Sequence, residues 1–167
     1  MSALEFVKVR TDEEIRETAE LASGIWTEYY TPILGKEQVE YMVTNFQSAE
    51  AIKKNLGEGW HYRYFLLKLE GRAVGYFAFT IENGGLFLSK MYVKKELRGH
   101  GVFSQVMEYL TGLCGEYDLY KIWLTVNRNN SGAIAAYKRL GFAEERAQVT
   151  DIGGGFVMDD YVMIKNV

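Results

Sequence analysis

The stretch Arg98-Gly99-His100-Gly101-Val102-Phe103-Ser104, "RGHGVFS", follows the strand-like run "GLFLSKMYV" at 85–93. It leads into a segment where Val106, Met107, Leu110, Leu113 and Cys114 recur at helical spacing. It therefore stands where a strand hands over to a helix. A helix start leaves about four backbone N–H groups without intrahelical partners, and the aligned peptide dipoles add partial positive charge there. Gly99 and Gly101 let the backbone turn tightly and approach a ligand, while Arg98 can neutralise a phosphate oxygen. Together these features suit a pyrophosphate. The third glycine of G-x-G-x-x-G and the Gly-Lys-Ser/Thr of a P-loop are both missing. Taken alone, "RGHG" reads equally well as a tight turn with a solvated arginine.

Working outward, "YKIWLTV" at 120–126 returns to strand character, and strand, helix and strand in about 40 residues satisfy a right-handed βαβ crossover with parallel strands. Upstream, Phe65, Leu67 and Leu69 alternate, and Gly71 and Asn83-Gly84-Gly85 mark reversals, which predicts three antiparallel strands. Before them, residues 4–10 predict a first strand. Thr11 or Asp12 can cap a helix carrying Ile15, Ala19, Ala22, Ile25, Trp26 and Tyr29, expected to stop before Pro32. "GKEQVEYMVTNFQSAEAIKKNLGEG" at 35–59 predicts a second helical region that Ser48 can cap and restart near its middle, and that Gly57 and Gly59 end. Downstream, a short helix from about Asn130 to Leu140 ends at Gly141, and the last 26 residues predict an edge hairpin around a glycine turn.

The chain has 167 residues, 48% hydrophobic and 25% charged, which suits a single domain over 1–167 with a core of its own. A net charge of −3 provides no general field for nucleic acid or anionic lipid. One cysteine, Cys114, and two histidines, His61 and His100, cannot assemble a disulfide or a Cys/His zinc cage, so no metal is expected. The N-terminus lacks the apolar core of a signal peptide, and no apolar run is long enough to span a bilayer. A cytoplasmic protein without membrane or nucleic-acid partners is the expectation.

The glycine loop gains meaning from "VNRNNSGAIAAYKRLGF" at 126–142. Arg98-Gly99-His100-Gly101 after a strand ending in Val93, followed by Asn130, Ala133, Tyr137, Gly141 and Phe142, resembles the GNAT superfamily of acetyl-coenzyme A dependent N-acetyltransferases. The resemblance runs from about residue 62 to the C-terminus. It implies an α/β fold: a mixed, mostly antiparallel sheet of about seven strands, with a parallel splayed pair at the cofactor cleft, flanked by about four helices. It further implies that the backbone of Met91 and Val93 pairs with the pantetheine arm, and that the loop from Arg98 through Gly99, His100, Gly101, Val102 and Phe103 to Ser104 holds the pyrophosphate. Phe103 departs from the family pattern, which has Gly or Ala there, so the loop either holds its backbone differently or has less space beside the phosphates.

Asn130 matches a family position beside the cofactor and is equally a helix N-cap. Tyr137 matches the tyrosine that often protonates the departing thiolate, a reasonable task for a phenol near 10 facing a thiol near 8.5. It is also three positions before the cap Leu140, where contact with Phe142 would close a Schellman motif. The implied reaction is direct acetyl transfer from acetyl-CoA to a primary amine, with the Met91 amide at the carbonyl oxygen as in an oxyanion hole. Cys114 follows the apolar helical spacing and reads as core.

An acceptor ammonium must lose a proton before attack. Phe87, Ser89 and Met91 supply no carboxylate, and Glu82, Glu28, Glu37 and Glu40 each read more simply as solvated surface groups. The base stays unassigned. Tyr29, Tyr30 and Tyr41 with nearby glutamates, and Asp159 and Asp160 in the hairpin, could border the acceptor site, although each tyrosine reads first as packing. The acceptor expected first is a small amine, polyamine-like or an amino metabolite; the alternatives are a peptide N-terminus, a lysine side chain, or no acceptor at all, in an acyl-CoA sensor. The last hairpin could pair two copies as a homodimer.

Overall fold

The structure, a computed structural model, describes residues 3–57, 61–82 and 84–167; Gly59 and Asn83, named above, lie outside these. After β1 (Glu5–Lys8), Thr11 starts α1 (Asp12–Leu34) with a complete capping box: its side chain accepts the Glu14 N–H while Glu14 reaches back to the Thr11 N–H. Those backbone bonds, chiefly from Thr11 and then Arg10, hold the Glu14 carboxyl below its ordinary range. Contrary to expectation, α1 runs through Pro32 to Leu34. Pro32 occupies the last turn, where its missing N–H removes a single bond to Glu28, and Gly35 still donates to the Thr31 carbonyl at 2.9 Å. Gly35, with φ of 86°, then turns the chain into α2 (Lys36–Phe46). Ser48 accepts the Ala51 N–H and restarts the chain as α3 (Ala49–Leu56), which ends at Gly57 as anticipated.

The strands follow as β2 (Arg63–Leu69), β3 (Arg72–Glu82) and β4 (Gly85–Val93). After a 3-10 turn (Lys95–Leu97) come α4 (Val102–Glu116), β5 (Lys121–Asn127), α5 (Ser131–Arg139), β6 (Ala143–Gly153) and β7 (Phe156–Asn166). They form a sheet of seven strands in the order β1-β2-β3-β4-β5-β7-β6. β4 and β5 are parallel, and β1–β2, β2–β3, β5–β7 and β7–β6 are antiparallel, giving the mixed α/β architecture expected. The helical region foreseen between α1 and β2, with its restart at Ser48, is two separate helices, so five α-helices, against about four expected, occur among the described residues. None of these is long and apolar enough to cross a membrane.

Backbone proximity gathers the chain into two compact units, residues up to Thr80 with Lys90–Val102, and Ile81–Ser89 with Phe103–Val167. In the first, Ala22, Ile52, Leu66 and Tyr76 are fully buried, and Phe65 stacks on Phe77 with ring centroids 5.1 Å apart. Each large apolar side chain removed from water contributes about 1.5–3 kcal/mol, which is the main stabilising term here. The Tyr76 hydroxyl, deep in this core, donates to Gln47 Oε1 at 3.0 Å. Lys90 is also buried, and its Nζ donates to the Phe46 carbonyl at 3.3 Å.

Burial lowers the Lys90 ammonium from its ordinary 10.5 to about 8. The unfolded chain therefore binds this proton more tightly than the folded one, and stability attributable to Lys90 rises as pH climbs between those values. Lys90→Met is accordingly expected to melt above wild type at neutral pH, with the gap closing as pH rises through that window; thermal melts across the range would test it.

In the second unit, α4 buries Val106, Met107, Leu110 and Cys114, and burial pushes the Cys114 thiol up, as befits a core residue. β5 alternates buried Ile122, Leu124 and Val126 with half-buried Trp123, Thr125 and Asn127. β7 lies inside the sheet between β5 and β6, while β6 forms the edge and is exposed along most of its length.

Candidate active site

Local chain chemistry shapes the 98–104 loop. The 3-10 turn closes with the Arg98 N–H donating to the Lys95 carbonyl, and the His100 N–H then donates to the Leu97 carbonyl at 3.3 Å. Gly99 and Gly101 have φ values of 79° and 80°, in the left-handed region that glycine tolerates. A Cβ on either would meet nothing within 4 Å, so the backbone there is open on the outside. Val102, 3% exposed, anchors the front of α4, and Phe103 and the exposed Ser104 follow in its first turn. An open, left-handed loop running into a helix start, whose first amides have no intrahelical partners, is physically suited to a diphosphate.

Arg98 is not loose in solvent. Its guanidinium takes Glu28 in a two-point ion pair, Nη2 to Oε1 at 2.7 Å and Nη1 to Oε2 at 3.3 Å, and lies over the Tyr29 ring at 4.6 Å. Glu28 therefore orients Arg98. Tyr29 and Tyr30 join Trp26 and Tyr92 in one aromatic cluster, and Tyr41 packs on Phe46, so the packing role of these tyrosines is evident. Glu40 pairs with Lys36 on α2, and Glu82 is exposed at the end of β3.

The Met91 and Val93 side chains are buried along β4. The parallel register with β5 covers Gly85–Phe87 opposite Lys121–Trp123, with Phe87 stacked on Trp123 at 4.1 Å. Met91 and Val93 stand farther along β4.

Asn130 is 2% exposed, and its Oδ1 accepts the Ala133 N–H at 3.3 Å, capping α5. At the other end of that helix, Phe142 N–H donates to the Tyr137 carbonyl and Gly141 N–H to the Lys138 carbonyl, both at 3.0 Å, with Gly141 at φ 98°. This is a complete Schellman motif, and it fixes the Tyr137 main chain. The Tyr137 ring, 7% exposed, stands between Phe142 at 5.5 Å and Phe103 at 5.6 Å. The unusual Phe103 thus packs against the tyrosine, a relation that spacing alone does not reveal.

Asp159 and Asp160 separate sharply. Asp159 pairs with Arg128 Nε at 2.9 Å, whereas Asp160 is 3% exposed, and burial, then Asp159, push its carboxyl up to about 6. The sequence did carry a signal for this: Asp160 interrupts the alternating apolar series Phe156, Met158, Val162 and Ile164.

In fold, the chain is similar to the PaiA N-acetyltransferase of Thermoplasma acidophilum, solved in complex with coenzyme A, with TM-score 0.82 and 19% identity over 99% of both chains. It is likewise similar to a probable acetyltransferase of Staphylococcus epidermidis, with TM-score 0.79 and 14% identity over 99% of each chain. The ribosomal-protein-S18-alanine N-acetyltransferase of Escherichia coli gives TM-score 0.69 and 18% identity, over 99% of this chain and 94% of that one. At such identities the likeness is one of fold. The sequence model of the Acetyltransferase (GNAT) family is more specific, since it matches residues 20–142 and so takes in the glycine loop, α4, β5 and α5 through Phe142. A match over most of the chain settles the family that the loop and the α5 segment suggested: the chain belongs to the GNAT acetyltransferases.

Proposed function

We propose that the protein moves an acetyl group from acetyl-CoA directly to a primary amine on a small molecule, polyamine-like or an amino metabolite. The observation that carries this is the left-handed, unobstructed Gly99–Gly101 loop at the start of α4, within the span matched to the family. Coenzyme A bound to a relative of the same fold supports the choice of cosubstrate. Bound acetyl-CoA supplies a thioester, with an electrophilic carbonyl and a thiolate leaving group.

The chain's own groups divide the work. Amides of the 98–104 loop and the Arg98 guanidinium hold the diphosphate, with Asn130 beside the cofactor. The main chain of Met91 and Val93 receives the pantetheine amides as an added strand would, so their buried side chains need only anchor β4. The Met91 N–H steadies negative charge at the carbonyl oxygen, and the Tyr137 hydroxyl donates its proton to the departing sulfur.

A free-thiol assay of purified protein with acetyl-CoA and a panel of alkylamines and peptides tests this function. Thiol release dependent on small amines supports it. Acetylation of peptide N-termini alone would redirect it toward protein N-terminal acetylation, the activity for which the E. coli enzyme is named, and tight acetyl-CoA binding without any transfer would replace it with a sensor.

Arg98→Ala is expected to raise the KM for acetyl-CoA about tenfold with kcat little changed, because a charge-assisted hydrogen bond to phosphate contributes about 1.5–3 kcal/mol. Initial rates at varied cosubstrate would show it.

A further inference from the structure

Asp160 is a buried carboxylate without a cation. It stands directly opposite Asn127 on β5 and Gln148 on β6, so these three side chains share one face of the sheet. The same face continues through Thr125 and Trp123 to Phe87. Groups on that face that could answer its charge are few. Asn127 and Gln148 are neutral, the diagonal β6 residue Arg146 is bonded to Glu145, and on the other face of β7 Arg128 is held by Asp159 and lies over Tyr161 at 5.2 Å. Among the described residues, no hydrogen bond or ion pair reaches the Asp160 side chain.

Burying an unpaired carboxylate is costly, so its position here points to a partner supplied from outside the chain. Topology indicates where that partner arrives. The crossovers β4-α4-β5 and β5-α5-β6 advance in the same direction across the sheet, so right-handedness sets α4 and α5 on one face. The buried Ile122, Leu124 and Val126 lie on that covered face, and Asp160, aligned with half-buried Trp123, Thr125 and Asn127, lies on the opposite one. Tyr137 belongs to α5, so Asp160 and the proposed acid are on opposite sides.

We infer that Asp160 receives the ammonium of the acceptor and takes its proton, which supplies the base that acetyl transfer to an amine requires; the inference rests on the function proposed above. One ammonium proton passes to the carboxylate and on to water, and the freed lone pair forms the N–C bond as the C–S bond breaks. The thiolate takes the Tyr137 proton, and the second proton lost by nitrogen restores Tyr137 through solvent.

The elevated carboxyl suits a base working just above its own titration. Because the folded group binds its proton more tightly than the unfolded one, stability falls as pH rises from the ordinary carboxyl range through about 6. Asp160→Asn should therefore melt above wild type at about pH 7.5 and close to it below about pH 4.

The deciding experiment compares wild type and Asp160→Asn with spermidine, an alkylammonium probe, and aniline, which is already neutral. The variant is expected to lose about 100-fold in kcat/KM for spermidine together with the acid limb near pH 6, to lose only a few-fold for aniline, and to bind acetyl-CoA normally by calorimetry. A readout independent of turnover is the rise in Tm caused by spermidine in the acetyl-CoA complex, which should appear in wild type and vanish in the variant. An equal rise in both, no rise in wild type, or an unaltered pH profile overturns the assignment. Should wild type show the spermidine-dependent rise yet acetylate no amine, the transferase function fails while the role of Asp160 as ammonium receptor stands.

Discussion

Tyr137→Phe is expected to lower kcat about 100-fold while the KM for acetyl-CoA and the melting temperature stay close to wild type. The substitution removes the hydroxyl and keeps the ring and the main chain. The ring remains available to Phe103 and Phe142, and the carbonyl still accepts the Phe142 N–H that closes the Schellman motif. Structural and chemical roles of Tyr137 are therefore separable in a single variant. A thiolate must leave without a proton donor in that variant, and a positioned general acid contributes about 10²–10⁴-fold. Steady-state rates beside a thermal melt decide it: full turnover with unchanged stability would remove the acid role.

Gly101→Val should have the largest effect on cosubstrate binding, weakening acetyl-CoA by at least about 100-fold in calorimetry. A φ of 80° puts a β-branched residue in a region that costs about 1–3 kcal/mol, and relieving that strain means rotating the loop amides away from the ligand. A Cβ at Gly101 has no neighbour within 4 Å and the loop lies outside the buried core, so the melting temperature should fall only modestly. Unchanged binding would refute the loop as the diphosphate site.

How much of this was legible in the sequence depended on the range of each interaction. Thr11 with Glu14, Ser48 with Ala51 and Asn130 with Ala133 are caps completed within a few residues, and each was legible from local chemistry. The same is true of the Tyr137–Phe142 closure. Pro32 misled because proline terminates a helix interior, whereas here it falls in a last turn that loses little by it. Glu28 and Arg98 are 70 residues apart, so their pairing emerges only once the chain is folded. Phe103 was visible as an exception to the family pattern, but its ring partner was not. Asp160 lay between the extremes: the alternation of β7 marked an inward position, while the absence of a cation beside it could be established only in three dimensions.

The exposed flank of β6 limits how copies of this chain could meet. Glu144, Glu145, Arg146 and Asp151 place charge along an edge that could otherwise template another strand. Glu144 and Glu145 are already engaged by Lys138 and Arg146. Self-association along this border would thus have to exchange existing ion pairs for intermolecular ones, making it selective for one register and sensitive to ionic strength, unlike the indiscriminate stacking of greasy ribbons.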